Sequence, residues 1–474
     1  MLRPLQGYRI LCISHGGRSA LHAARMLADM GGEVIYTDSS GPDAMGIAML
    51  TRTPAVATVA IGDAVTGAAN PFAIVHEGDL DPAFDKNPAF ASAARVKLNW
   101  LGTSDEDGCD EAAQAVSGAA CAIGERDRAP LWFPHRMGEY IQGTNAAGMV
   151  LLFALGGGNG RRGEIALADI WGYAAGVMRM LCEPKGIRYY RDGRRSPGNG
   201  GVYPQRLFKA KDGFIALLCR SSKEWASILN AFGNPEWGEN PKFRDILSMA
   251  REYPDETDTL VEAETQRFTK DELFALAIEN GFPLAAVRTP IEASHDQYLA
   301  RQGFWAEEDG KRLPGSLWRP ETFRSADPSA TLGDVAPRPG GALDLSGYRV
   351  LDLSWVWAGP MVGSMLADLG ADVLKVEHEK RLDNMRLRGK LPSAIPEAQR
   401  SIDPRETDPL FHNVNRGKKS ILLDMKSPEG RQLFLDLVAK SDIILESFRP
   451  HVLDSWELGF DVLKKANPKI VLLS

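Results

Sequence analysis

Cysteine is scarce in this 474-residue chain: Cys12, Cys109, Cys121, Cys182 and Cys219 are odd in number and show no CxxC or metal-ligand spacing. A disulfide framework and a zinc ribbon are therefore excluded, and reduced, mostly structural thiols are the default. The eight histidines include no HxxxH or HExxH, so no metal site is expected. No run of about 18 apolar residues occurs, and MLRPLQG at the start passes directly into a strand pattern without a signal-peptide core. The expectation is a cytoplasmic protein with no membrane partner. Positive charge is also in deficit: a formal net charge of −7 argues against nucleic acid as the main partner and favours a small molecule. What remains is ordinary for a globular protein, 44% apolar and 25% charged, with length for two or three domains.

An internal repeat is present. Leu5-Gln6-Gly7-Tyr8-Arg9-Ile10-Leu11-Cys12-Ile13-Ser14 matches Leu345-Ser346-Gly347-Tyr348-Arg349-Val350-Leu351-Asp352-Leu353-Ser354, and the stretch from Met26 to Ile35 matches that from Met365 to Leu374 at nearly the same offset. Each copy reads as a buried strand, a helix with one small-residue face, a glycine turn and a second buried strand. That is a βαβ unit, which predicts a parallel sheet with right-handed crossovers and a ligand crevice at the carboxyl ends of its strands.

Between the copies, residues 324–344 have the Ala, Pro, Gly and Ser content of a linker. Asn145 to Ala154 and Glu164 to Met180 carry helical spacing. Leu207 to Leu218 reads as a β-hairpin with an Asp212-Gly213 turn, followed by amphipathic helices over Ser222–Phe232, Thr257–Phe268 and Lys270–Asn280. The organisation expected is an α/β domain over 1–200, a smaller α+β domain over 201–323, the linker, and a second α/β domain over 345–474.

The second copy carries an ordered set of blocks: Val350-Leu351-Asp352-Leu353-Ser354, Ala358-Gly359-Pro360, Leu366 to Glu377, Asn415-Arg416-Gly417-Lys418-Lys419-Ser420, Leu423-Asp424-Met425-Lys426-Ser427-Pro428-Glu429-Gly430, Glu446-Ser447-Phe448-Arg449-Pro450 and Asn467-Pro468. In this order they resemble the N-terminal half of the family III, CaiB/BaiF-type, coenzyme A transferases. The first copy is similar in its later parts, at Gln114 to Gly118, Lys211-Asp212-Gly213 and Gly281 to Val287, but lacks the Asn-Arg-Gly-Lys and Phe-Arg-Pro blocks and is shortened between Asp38 and Asn87. The resemblance implies a parallel-sheet, Rossmann-like family III fold with a smaller α+β domain, then a second parallel α/β unit. It also implies coenzyme A or acyl-CoA as substrate with no permanently bound cofactor, a small carboxylate as the other partner, and a homo-oligomer or an intramolecular pseudo-dimer.

Coenzyme A has phosphates, an adenine and a long pantetheine arm, so its site needs cations, free backbone amides and apolar walls. By the resemblance, Val356, Trp357 and Ala358 line the entry after the first strand. Leu423 and Lys426 lie along the nucleotide, and Ser447, Phe448 and Arg449 border the adenine and phosphates. Taken singly, Lys418, Lys419, Lys426 and Arg449 also read as solvated surface charges. Gly198, Gly200 and Gly201 stand where the family has a flap over the acyl intermediate, or form a plain surface loop. Arg188, Arg191, Arg194 and Arg195 read as a solvated loop or as a cluster meeting a carboxylate or phosphate.

The family's chemistry uses an aspartate nucleophile in a Gly-Asp pair ahead of an apolar helix. Here Gly138-Glu139 stands in its place, as a nucleophile lengthened by one methylene or as an ordinary acid at a helix N-terminus. In the second copy the corresponding position would fall as far beyond Asn467 as Glu139 lies beyond Asn87, past Ser474. The functional expectation is transfer of coenzyme A from an acyl-CoA to a carboxylate through an enzyme carboxylate. The alternatives are a non-catalytic CoA-binding or partner-completing subunit, and a racemase or a CoA-transferase/lyase on the same fold.

Overall fold

The computed structural model describes residues 3–39, 56–60, 63–64, 70–102, 108–156, 158, 160–182, 191, 193, 203–308, 310–316, 345–386 and 403–474. The linker, the glycines Gly198, Gly200 and Gly201, and Arg188, Arg194 and Arg195 lie outside them.

The apolar runs of the first copy form a parallel sheet. Its strands are β1 (Arg9–Ser14), β2 (Glu33–Asp38), β3 (Val56–Thr58), β4 (Ala73–Glu77), β5 (Ala94–Asn99) and β6 (Arg162–Ala166), in the order β3-β2-β1-β4-β5-β6. All of β4 and nearly all of β1 are buried, as strands covered on both faces must be. On one face α1 (Ser19–Asp29) packs against α3 (Met137–Leu155), while α2 (Asp110–Val116) packs against α4 (Leu167–Cys182). The contact between α1 and α3 is close because Gly143 has no side chain: a Cβ there would stand 2.4 Å from the Ser19 carbonyl oxygen.

One expectation is corrected. Glu164, Ile165 and Ala166, read as the start of a helix, belong to β6, and the helix begins at Leu167. Pairing with β5 from Arg95↔Arg162 to Asn99↔Ala166 uses backbone groups that β5 would otherwise leave open at the sheet edge.

The smaller unit is antiparallel, β7 (Gln205–Ala210), β8 (Gly213–Leu218) and β9 (Leu284–Ala286), backed by α5 (Ser222–Ala231), α6 (Pro254–Thr265) and α7 (Lys270–Asn280). It has its own core around Phe208, Ile215, Trp225, Ile228, Val261 and Leu273. Helix α7 starts in a Thr269/Glu272 capping box and stops at Gly281 with φ 74°, the punctuation its sequence carries. The chain then returns through the hairpin β10 (Trp305–Glu308) and β11 (Lys311–Pro314) to the first unit, where Arg25 of α1 donates to the Pro314 carbonyl at 2.9 Å.

The second copy builds another parallel sheet from β12 (Arg349–Asp352), β13 (Asp372–Glu377), β14 (Lys419–Leu422), β15 (Ile443–Leu445) and β16 (Val471–Leu473), ordered β14-β13-β12-β15-β16. This is the order of the first five strands of the first sheet. The registers agree as well: Cys12 faces Tyr36 and Val75, and Asp352 faces Lys375 and Leu445. Helices accompany the sheet, among them α8 (Ala358–Asp368), α9 (Pro409–Asn415), α10 (Pro428–Val438) and α11 (Phe460–Ala466). The copies touch directly. Leu152 of α3 packs on the cluster of Leu345, Val350, Val373 and Leu445, and Arg416 stands 6.0 Å from the ring centre of Tyr173. Among the described residues, no helix is long and apolar enough to cross a membrane.

Candidate functional site

At the carboxyl ends of the strands, where a crevice is expected, the loops of the second copy carry the residues singled out by resemblance. After β12 the chain turns sharply into α8. Ser354 N donates to Asp352 Oδ1 at 3.0 Å, and Trp355 N donates to Ser447 Oγ at 3.1 Å, which joins the loop after β12 to the loop after β15. Val356 has φ 72°, a left-handed conformation that is unfavourable for a β-branched residue. Its N–H is directed at both carboxylate oxygens of Asp383, at 3.2 and 3.3 Å.

Beneath this turn lie two buried lysines. Lys375, in the middle of β13, donates to the Ser354 carbonyl at 2.9 Å and stands 3.3 Å from Asp383. Lys418 donates to Asp352 Oδ2 at 2.6 Å, to the Pro360 carbonyl at 2.8 Å and to Asn415 Oδ1 at 2.9 Å. Burial pushes the Lys418 ammonium down to about 8, against the pull of Asp352. Both lysine side chains are 2% exposed and both aspartates are fully buried. Lys418, read singly as a surface charge, is thus an interior one.

Above the turn, aromatic rings and cations meet in sequence. Trp355 and Phe448 are in edge contact at 6.2 Å, Phe448 and Trp456 at 5.2 Å, Lys426 lies 5.7 Å from the Trp456 ring centre, and Arg381 lies 6.0 Å from that of Trp355. Of the residues singled out by resemblance, Val356, Ala358, Lys426, Ser447 and Arg449 are exposed, while Trp357, Leu423 and Phe448 are half-buried. The structure gathers Ser447, Phe448 and Lys426 around the loop that carries Val356, Trp357 and Ala358. Leu423 packs with Phe448 against the apolar core of the second sheet. Trp355, Trp456, Arg381 and Asp383 were not foreseen. Arg381 did carry a signal, since it follows the carboxyl end of a buried parallel strand. A separate cavity of about 530 Å³ lies at the amino ends of the same strands, lined by Tyr348, Arg349, Asp372 and Lys440 among others, away from these loops.

The corresponding region of the first copy is occupied by its own carboxylates. Glu139 is fully buried in the first turn of α3, where Oε2 accepts from Arg18 N and Oε1 from Arg136 Nε, both at 2.6 Å. Burial pushes its carboxyl up, opposed by the Arg18 N–H and the Arg136 charge. Glu77, also buried, accepts from the backbone N–H groups of His15, Gly17 and Ala20 and from the Ser14 hydroxyl. The amides that lead into α1 therefore already have acceptors from within the chain.

The family model described as CoA-transferase family III matches residues 102–340 and again residues 345–474. The chain belongs to this family. Among its relatives, the probable CoA-transferase Rv1866 of Mycobacterium tuberculosis is 27% identical over 411 residues, 80% of this chain and 48% of that protein. The beta subunit of succinyl-CoA–L-malate CoA-transferase from Chloroflexus aurantiacus is 40% identical over 131 residues, 28% of this chain and 30% of that subunit. The chain thus spans half or less of the length of these curated relatives. A solved CAIB/BAIF family protein from Brucella suis superposes with a TM-score of 0.58 at 17% identity, covering 69% of this chain and 94% of that one. At that identity the likeness concerns the fold, and the fold is that of a family III protein.

Proposed function

We propose that the second repeat binds the nucleotide end of coenzyme A, and that this family III chain serves transfer of coenzyme A between an acyl-CoA and a small carboxylic acid. One observation carries this reading: the wall of Trp355, Phe448 and Trp456 flanked by Arg381 and Lys426 at the carboxyl ends of parallel strands. Rings offer faces to an adenine and the cations meet phosphates. Arg449, exposed at the tip of the loop after β15, has no side-chain partner among the described residues and is free to reach a phosphate. The names of relatives, which pair succinyl-CoA with malate or mesaconate and succinate with glutarate, point to short dicarboxylates.

In the transfer an enzyme carboxylate attacks the thioester carbonyl and expels the CoA thiolate, leaving an acyl anhydride. The thiolate then attacks the enzyme's own carbonyl, which releases the donor acid and leaves an enzyme thioester for the acceptor to reverse. Glu139 is badly placed for the first step, because both its oxygens are committed and none of it is exposed. This favours a CoA-binding half whose attacking carboxylate lies elsewhere.

Calorimetry with coenzyme A tests the binding. Arg449→Ala is expected to weaken it by about 1–3 kcal/mol, the scale of a charge-assisted hydrogen bond. An unchanged affinity removes Arg449 from the site, and no binding by the unaltered chain defeats the reading.

A further inference from the structure

The two copies form an internal control for the buried charges under the loop after β12. They share strand order and register, yet Asp352 of the second copy stands where the first has Cys12, and Lys375 stands where the first has Tyr36. The fold itself is therefore made equally well without these charges. A buried ion pair is also a poor means of stabilising a core, since desolvation offsets most of its attraction. What the charges do in addition is hold backbone. Lys375 donates to the Ser354 carbonyl, Asp383 accepts from Val356 N, and Lys418 reaches the Pro360 carbonyl in the first turn of α8.

The turn needs holding. The first copy turns the corresponding corner with Gly16 at φ 89°, which costs glycine nothing; the second has Val356 at φ 72°. A strained β-branched residue persists there only when its surroundings over-determine it, and the N–H of that residue is the one Asp383 accepts. The carbonyl two residues earlier is the one Lys375 takes, and Lys375 is itself 3.3 Å from Asp383.

From this we infer that Lys375 and Asp383, seconded by the Asp352–Lys418 pair, are positioning residues that set the 354–360 turn in the conformation that receives the ligand. They touch the turn's backbone, and the inference rests on the second repeat being the coenzyme A site. The network is present in the copy that carries the family's binding blocks, and Cys12 and Tyr36 replace two of its members in the copy that lacks them. Its work is to make one loop rigid where the other copy has two adjacent glycines, Gly16 and Gly17.

The test uses the full chain and two measurements: the dissociation constant for coenzyme A, and hydrogen exchange of the amides over 353–358 with no ligand present. The double variant Lys375→Met/Asp383→Leu removes both charges together, so neither remains buried alone. It should be less stable, because the Val356 and Met385 amides lose their acceptor, yet in its folded state it should speed exchange of the turn and raise the dissociation constant by roughly tenfold or more. Lys375→Arg, which keeps the charge and a donor, should restore binding to near the unaltered value at similar stability. If the double variant does not fold, Val356→Gly supplies the comparison, since it frees the turn without removing a buried charge: it should speed exchange over 353–358 and weaken coenzyme A binding, and both unchanged would overturn the inference. Binding and exchange unchanged in a folded double variant would overturn the inference. An unaltered chain that binds no coenzyme A would defeat the functional reading instead, while the exchange measurement would still decide whether the network sets the turn.

Discussion

Glu77 and Ser447 lie two residues beyond Val75 and Leu445, which face the equivalent Cys12 and Asp352, and they accept the equivalent backbone hydrogen: His15 N donates to Glu77 Oε2 at 2.9 Å, and Trp355 N to Ser447 Oγ at 3.1 Å. Serine stops there. Glutamate continues, taking Gly17 N and Ala20 N at 3.0 Å each, so the first copy supplies its own anion at the entrance to α1. Glu77→Ser should therefore cost about 3 kcal/mol of stability, the scale of losing charge-assisted hydrogen bonds to buried amides. Coenzyme A affinity at the second repeat should stay as it was. Urea denaturation and calorimetry on one preparation check both, and a large loss of affinity would place the ligand in the first copy.

For Glu139 the expectation is a structural phenotype. Gln in its place keeps one acceptor oxygen but turns an NH2 toward either Arg18 N or Arg136, so Glu139→Gln should lose about 1–2 kcal/mol of stability and leave coenzyme A binding unaltered. After incubation with several acyl-CoA donors and borohydride, mass spectrometry should find no modification on the peptide that contains Glu139. A trapped adduct there would make it the nucleophile.

Val356→Gly relieves a left-handed conformation that costs a β-branched residue about 1–2 kcal/mol, less the entropy glycine regains on unfolding. A net gain of roughly 0.5–1 kcal/mol is expected, read as a higher urea midpoint at unchanged slope. A lower midpoint would show that packing of the valine side chain outweighs the strain.

Acid should destabilise the first repeat through His76. It is buried at the end of β4 with Nδ1 2.8 Å from the Gly78 carbonyl, and burial pushes its pKa down to about 4. The unfolded chain then binds a proton that the folded one refuses, so this contribution is complete above pH 6.5 and is lost as the pH falls from there toward 4, by up to about 3 kcal/mol. His22, also pushed down to about 4 by burial, acts in the same direction. The difference between the unaltered chain and His76→Gln isolates the first term: the variant should lose less stability between pH 7 and pH 5. Parallel losses in the two proteins would remove His76 from the pH dependence.

Much of the architecture could be read from local pattern. The matched runs Leu5–Ser14 and Leu345–Ser354, each an apolar stretch before a small-residue helix, implied parallel sheets and their crevices. Asp212-Gly213 implied the hairpin turn, and amphipathic spacing implied the helix over Lys270–Asn280. These signals are periodicities and turn chemistries within a few residues of each other, which is the range over which sequence constrains backbone. RGEIA at 162–166 was missed because its strand state comes from a partner, β5, more than sixty positions earlier.

The duplication, the family resemblance and the segments after the strands could be read from the sequence, because each is written in contiguous blocks. How those segments' side chains are paired came from the fold. Lys375 sits in a strand read as buried, and the partner that makes its burial tolerable, Asp383, comes from the loop beyond the strand. Glu139, which in sequence is an acid ahead of an apolar helix, is found with both its oxygens paired, to Arg18 N and to Arg136. Whether a charge is solvated, paired or spent on a backbone amide depends on which distant groups the fold brings within about 3 Å, and no local pattern encodes that distance.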